Sequence, residues 1–245
     1  MARVVAKDEY KKIVSLFQKL TGGRQLWELW EDAMIMFATM LSNAVDKRFF
    51  DEREKMFKNI SSKYSAEEMQ IFLQIFAEMV NQLEANPEQD FLGDLYMQLE
   101  LGSHWHGQFF TPYNVCKMMA DLQTPSELSF DDAKAVTITD CACGGGALLI
   151  ALAHAYRKKM AEIGLNAQDF VCLYAQDLSM VAALMCYIQL SLQGYAGKIK
   201  IGDSLLRPML DSDNGSDIWY TPMWFSDVWV MRRAVENIVR RGHEK

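Results

Sequence analysis

The chain has 245 residues, half of them apolar, which is enough for one sizeable core with a smaller helical unit beside it. Its formal net charge of -7 excludes a protein that grips nucleic acid by overall charge, so any DNA contact must come from a local basic face or from a partner. The first residues, MARVVAKDEYKK, carry no apolar signal segment, and the longest nearly uncharged stretch, Met180 to Tyr195, falls short of the ~20 residues of a membrane span.

Five cysteines without a regular framework suit a reducing compartment, so a cytoplasmic protein with no membrane partner is expected. Residues 1 to about 100 read as a helical domain. Leu26, Leu29, Trp30, Ala33, Met34 and Phe37 recur at helical spacing, as do Met69, Phe72, Leu73, Ile75, Phe76 and Met79. Charges alternate in sign from Asp46 to Lys58, as on an exposed helix face, and Asn86-Pro87 marks a break before another helix.

Residues 101–245 form the second expected domain, and from about residue 130 its rhythm changes. Ala135 to Thr139 is a β-branched run that stops at Asp140 and a glycine cluster. A helix over Ala147 to Ala161 follows, then a strand over Phe170 to Ala175, a helix over Met180 to Leu192 and a strand over Lys198 to Ile201. A fourth strand is expected at Asp217 to Tyr220, before a last helix from Phe225 to Arg241. Strands alternating with helices predict βαβ units and a parallel sheet. Arg232, Arg233, Arg240 and Arg241 on that last helix are a candidate basic face for DNA.

The turn Asp140-Cys141-Ala142-Cys143-Gly144-Gly145-Gly146 lies where the first strand enters its helix, the place where doubly wound sheets bind ligands. Glycines there let the backbone turn tightly and approach a ligand closely. The second strand ends in Gln176-Asp177, an acid placed to accept the hydroxyls of an adenosine ribose. Asp140 and Asp177 stand 37 positions apart, more than the ~20 of dinucleotide folds, so the first crossover must be longer. Asp140 would repel a pyrophosphate but suits the positive amino group of a methionine moiety, which favours S-adenosylmethionine over NAD. The third strand ends in Gly202-Asp203-Ser204-Leu205, where a carboxylate can accept from an adenine amino group.

Upstream, Gly107-Gln108-Phe109-Phe110-Thr111-Pro112 precedes Val115 and Met118. Together with DCACGGGALL, YAQDLS and GDSL in this order, the chain resembles the N6-adenine DNA methyltransferases, with the modification subunits of type I restriction-modification systems as the nearest relatives. Asp90, Leu92, Gly93 and Tyr96 look like the helix that leads into the GQFYTP-like segment of that family. The resemblance implies a Rossmann-like α/β methyltransferase sheet, here partial with about four strands, behind an N-terminal helical domain. It implies adenine-specific DNA methylation with S-adenosyl-L-methionine as cofactor. The cofactor contacts it implies are Phe110, Thr111, Pro112, Asp140, Ala142, Gly144, Gly146, Asp177, Leu178, Asp203 and Ser204. Cys141 stands where the family has Pro, and Gly145 where it has Thr or Ser.

The family's catalytic Asn/Asp-Pro-Pro-Tyr/Phe tetrapeptide supplies acceptors for the adenine amine and a ring that stacks on the flipped base. Here the matching position reads Thr221-Pro222-Met223-Trp224, so Thr221, Pro222 and Trp224 are the catalytic candidates. A Thr hydroxyl reaches less far than an Asn amide, and slow or absent methyl transfer is expected; a non-catalytic, cofactor-binding or scaffolding subunit is the alternative. In the methyltransferase strand order the fourth strand is central. With no fifth strand signal, its edge at 217–229 would lie open, which implies a homodimer or docking to a larger protein. DNA is the implied partner, directly or through another subunit. Cys141-x-Cys143 and His104-x-His106 lack the spacing of structural zinc, and no metal is expected.

Overall fold

The computed structural model describes residues 10–101, 110–128 and 135–243, with the backbone alone for 237 and 239–243. Five helices come first: α1 (Lys11–Leu20), α2 (Leu26–Val45), α3 (Phe50–Ser61), α4 (Ala66–Ala85) and α5 (Phe91–Gln98). Local chemistry sets their starts. Ser65 and Glu68 form a reciprocal capping box at α4, and Gln25 with Glu28 forms one at α2. α4 ends ahead of Pro87, whose ring disfavours helix at Asn86. In α1, Ile13, Leu16, Phe17 and Leu20 are buried, which is the one-sided stripe of a packed helix.

After α6 (Tyr113–Gln123) come β1 (Val136–Asp140), α7 (Ala147–Glu162), β2 (Val171–Asp177), α8 (Met180–Leu192), β3 (Ala196–Ile201), β4 (Ile218–Tyr220) and α9 (Asp227–His243). β1 pairs with β2, and β2 with β3, both parallel, joined by α7 and α8 as the alternating pattern predicts. α7 and a 3-10 turn at Ala167–Asp169 account for the long first crossover. α8 is apolar almost all round and is buried between the sheet and α2. One core runs from Tyr10 in the helical unit to Trp219 in β4. The mixed α/β, methyltransferase-like class expected from the sequence is what the structure has.

The fourth strand departs from expectation. β4 runs antiparallel to β3, and the sheet order is β1-β2-β3-β4. A parallel neighbour requires a crossover of a dozen residues or more, usually a helix, and none forms between Ile201 and Ile218. That segment is held as a folded-back loop by side chains from one sheet face. Lys198 Nζ donates to the carbonyls of Leu210 (2.7 Å) and Asp211 (3.3 Å), and Lys200 pairs with Asp213. Gln176 donates to Gly202 O and Arg207 O and accepts from Met209 N. The returning chain therefore lies beside β3, far from β1.

This placement bears on two expectations. On its outer side the edge at 217–229 meets side chains of the same chain. Arg53, itself buried, donates from Nη2 to Ile218 O (2.7 Å) and lies 4.3 Å over the Trp219 ring. Arg48 covers Tyr220 at 4.5 Å. Both arginines bond Asp46; burial pushes that carboxyl up, but the Arg48 hydrogen bonds outweigh it and hold it below its usual range. β1 and β4 are the edge strands of the sheet, and neither outer edge pairs with a further strand among the described residues. Arg232 and Arg233 are also drawn into packing, each 4.1 Å over a ring, Phe170 and Trp224 respectively.

The second expectation concerns Thr221, which follows β4 and stands beside the start of β3, away from its acidic end. It is fully buried; its Oγ1 accepts from Gly197 N (2.8 Å) and donates to Tyr195 O (2.7 Å). Trp224 packs on Tyr220 and under Arg233. These side chains join β4 and α9 to the sheet. Replacing the hydroxyl by a methyl in Thr221→Val leaves Gly197 N without its acceptor, and the free energy of unfolding in urea should fall by about 2 kcal/mol. An unchanged unfolding midpoint would show that the hydroxyl holds nothing.

Candidate cofactor site

The parallel register assembles the acidic strand ends. Asp140 pairs with Ala175, Asp177 pairs with Ile201, and Asp203 follows two residues later. The three acids thus stand at the same end of three neighbouring strands, spaced ~4.8 Å per strand. Each shapes its own loop. Asp140 Oδ1 accepts from Ala142 N (3.0 Å). Asp177 Oδ2 accepts from Gly144 N and Oδ1 from Ser179 N, both at 2.8 Å. Asp203 Oδ1 accepts from Leu205 N (2.8 Å) and Leu206 N (3.0 Å). An ionised carboxylate has about four acceptor positions, so each acid keeps capacity for a ligand.

Gly144 and Gly146 both adopt positive φ, at 54° and 94°. A Cβ at Gly146 would meet Cys186 Sγ at 2.8 Å, and one at Gly144 would meet the Phe110 ring at 3.1 Å. Gly146 is therefore required by packing and conformation together, while Gly144 lies directly beneath the aromatic ring. The resulting cleft, about 250 Å³, is lined by Phe110, Thr111, Asp140, Ala142, Gly144 and Leu148. Cys143 is buried; the Cys186 thiol and burial raise its pKa well above the usual thiol value, which suits a packing role rather than a nucleophile.

The turn is held from behind by Gln189 of α8. Its Nε2 donates to Asp90 Oδ1 and to Gly145 O, both at 2.8 Å, and its Oε1 accepts from Leu92 N at 3.0 Å. Asp90 caps α5 by accepting from Gly93 N at 3.0 Å, and a Cβ at position 93 would overlap its carboxylate. Asp90 is almost wholly buried, and burial raises its pKa to about 6 against the opposing hydrogen bonds from Gln189 and Gly93.

Of the candidates read from the sequence, Phe110, Thr111, Asp140, Ala142 and Gly144 line the cleft, with Gly146 at its floor and Asp177 behind Gly144. Pro112 caps α6 at the rim, Leu178 is exposed beside Asp177, and Asp203 and Ser204 stand at the third strand end. Thr221, Pro222 and Trp224 are not brought there; they lie at the opposite end of the sheet, beyond β3. Gly107, Gln108, Phe109, His104 and His106 lie outside the described residues, and Cys141 is exposed while Cys143 is buried. Among the described residues no three His, Cys, Asp or Glu side chains gather as a metal site requires, and no helix is long and apolar enough to cross a membrane. Gln189 and Gln176 were not singled out as site residues, although a glutamine interrupting the apolar run of α8 was the signal for the first.

Residues 87–242, well over half of the chain, match the family model described as N-6 DNA Methylase. No curated protein matches.

Asp90 gives a pH signature. Its carboxyl holds its proton more tightly in the folded chain, up to about 6, than when unfolded, near 3.8. Stability is therefore lost as pH rises from about 4 to 6, by up to about 3 kcal/mol. Asp90→Asn stays neutral, so in denaturant titrations the variant should gain on the wild type by roughly that amount between pH 4 and pH 7. Parallel pH profiles for the two proteins would contradict the assignment.

Proposed function

The chain belongs to the N-6 DNA methylase family, and on that footing we propose that it binds S-adenosylmethionine at the ends of β1, β2 and β3 and serves adenine N6 methylation of DNA. The observation that carries the reading is the set of three carboxylates at neighbouring strand ends beside a glycine turn, with no Lys or Arg among the described residues that line the cleft. Those residues fit S-adenosylmethionine, a ligand with an ammonium group, a sulfonium and two ribose hydroxyls, and they do not fit a pyrophosphate. Asp177 would accept the ribose hydroxyls, Asp203 the adenine amino group, and Asp140 the methionine ammonium, with Phe110 to Pro112 closing over the methionine end. When bound, the cofactor supplies the methyl group. The chain's own residues orient it and keep water from the cleft.

A second reading is favoured by the position of Thr221. The tetrapeptide stands at the far end of the sheet, and among the described residues that line the cleft there is no Asn amide to accept from the adenine amine. A cofactor-binding subunit that works with a partner, as the modification subunits of type I systems do, accounts for a complete cofactor turn and a displaced catalytic segment together.

Isothermal titration with S-adenosylhomocysteine tests the first reading. Wild-type protein should bind, and Asp177→Ala should bind about tenfold or more weakly, because two hydroxyls lose a charged acceptor. Absence of binding to the wild type at millimolar ligand would sink the cofactor reading. Methyl transfer to unmethylated DNA by the purified chain should be slow or undetectable; robust N6-methyladenine formation would sink the partner reading.

A further inference from the structure

Four backbone N–H groups of the glycine turn are bonded to the flanking strands or within the turn. Ala142 N donates to Asp140 Oδ1, Cys143 N to Gln176 O (3.0 Å), Gly144 N to Asp177 Oδ2 and Gly146 N to Cys143 O (2.8 Å). The Gly145 carbonyl turns away from the strands and accepts from Gln189 Nε2. That amide also donates to Asp90 Oδ1 and accepts from Leu92 N. Leu92 N belongs to the first turn of α5, where a helix offers its own N–H groups no acceptor. Gln189 and Asp90 are both buried, so water does not compete for these bonds. A glutamine buried on an apolar helix costs free energy unless its amide is bonded, and the bonds of Gln189 go to α5, to its cap and to the turn.

The same helix meets the turn by a second route. Tyr96 of α5 stands edge-on to Phe110, with ring centroids 5.1 Å apart, and Phe110 lies over Gly144. α5 is itself seated by the helical unit, since Phe91 lies 5.2 Å from the Tyr10 ring and Tyr96 lies 5.8 Å from Trp30 of α2. We propose that Gln189 is a positioning residue for the cofactor site, holding the Gly145 carbonyl to α5, so that the seating of α5 sets how tightly the turn receives its ligand. By linkage, a ligand bound at the turn steadies α5 to the same extent. The identity of that ligand rests on the proposed function; the link between α5 and the turn does not.

The test has a spectroscopic arm and a binding arm. In the ligand-free protein the Gly146 amide resonance reports the bond at the adjoining Gly145 carbonyl. It should move in Gln189→Leu and in Asp90→Ala, and stay in place in Trp229→Phe, which removes a buried bond to Gln168 O at the other end of the sheet. In titrations with S-adenosylhomocysteine, Gln189→Leu should bind about tenfold more weakly than wild type, and Trp229→Phe as tightly. Asp90→Ala should also bind more weakly, while Asp90→Asn, which keeps an oxygen for the amide, should match wild type. Because Asp90 acts through Gln189, the double variant with Gln189→Leu and Asp90→Ala should bind no more weakly than Gln189→Leu alone. Additive losses in the double variant, a Gly146 signal that ignores Asp90→Ala, or equal weakening by Trp229→Phe would each overturn the proposal. Should Gln189→Leu fail to fold, the Asp90 pair decides: equal affinities for Asp90→Ala and Asp90→Asn overturn it. If the wild type binds no S-adenosylhomocysteine while Gly146 still answers to Asp90→Ala, the link stands and the cofactor reading falls.

Discussion

The side-chain amide of Gln189 is the point on which the site depends. Three hydrogen bonds from one buried group join α5, through Leu92 N and Asp90, to the glycine turn, through Gly145 O. Remove the amide and the Leu92 N–H and Gly145 carbonyl lose this partner, each at a cost of about 1–3 kcal/mol, while the Asp90 carboxyl keeps its bond from Gly93 N. Because the group sits on α8, the helix that follows Asp177, it also ties that acid to the same frame. The helical unit is therefore part of the scaffold that sets the turn, and Gly93 and Gly146 are the two positions where any side chain would break it.

A second constraint acts on the other side of the sheet. Lys198, Lys200 and Gln176 point from β3 and β2 into the segment that follows Asp203 and bind its carbonyls and Asp213. This segment makes no helix, so the chain returns antiparallel and ends up against Tyr195 and Gly197. The geometry of a crossover, rather than the local sequence around Thr221, decides that the tetrapeptide-like residues stand beside the start of β3. Arg53 then binds the outer side of β4 at Ile218 O, and the buried pair it forms with Asp46 joins the first helices to that strand. A buried pair of this kind is costly to break at one end, which makes it a strong tie.

Much of this was legible in the sequence. Helical periodicity and the alternation of β-branched runs with apolar helices located β1, α7, β2, α8 and β3 within a few residues, because each follows from local pattern. The three acids and the glycine turn were legible because parallel βαβ units bring successive strand ends together without further information. The direction and partner of β4 were not, since three residues of strand look the same parallel or antiparallel. Resemblance made that strand central in the sheet; the missing crossover helix between Ile201 and Ile218 was the signal against a parallel pairing. Nor could spacing reveal that Gln189 meets Asp90, 99 positions away, or that Arg53 reaches Ile218, 165 positions away.

A crystal structure of the chain with S-adenosylhomocysteine tests the central claim most directly. Expected are ribose hydroxyls on the Asp177 carboxylate, the amino acid end between Phe110 and the Asp140–Gly144 turn, and Thr221 still bonded to Gly197 and Tyr195 at the opposite end of the sheet. A ligand seated away from Asp177, or one that draws Thr221 out of its buried bonds and into contact, would contradict it.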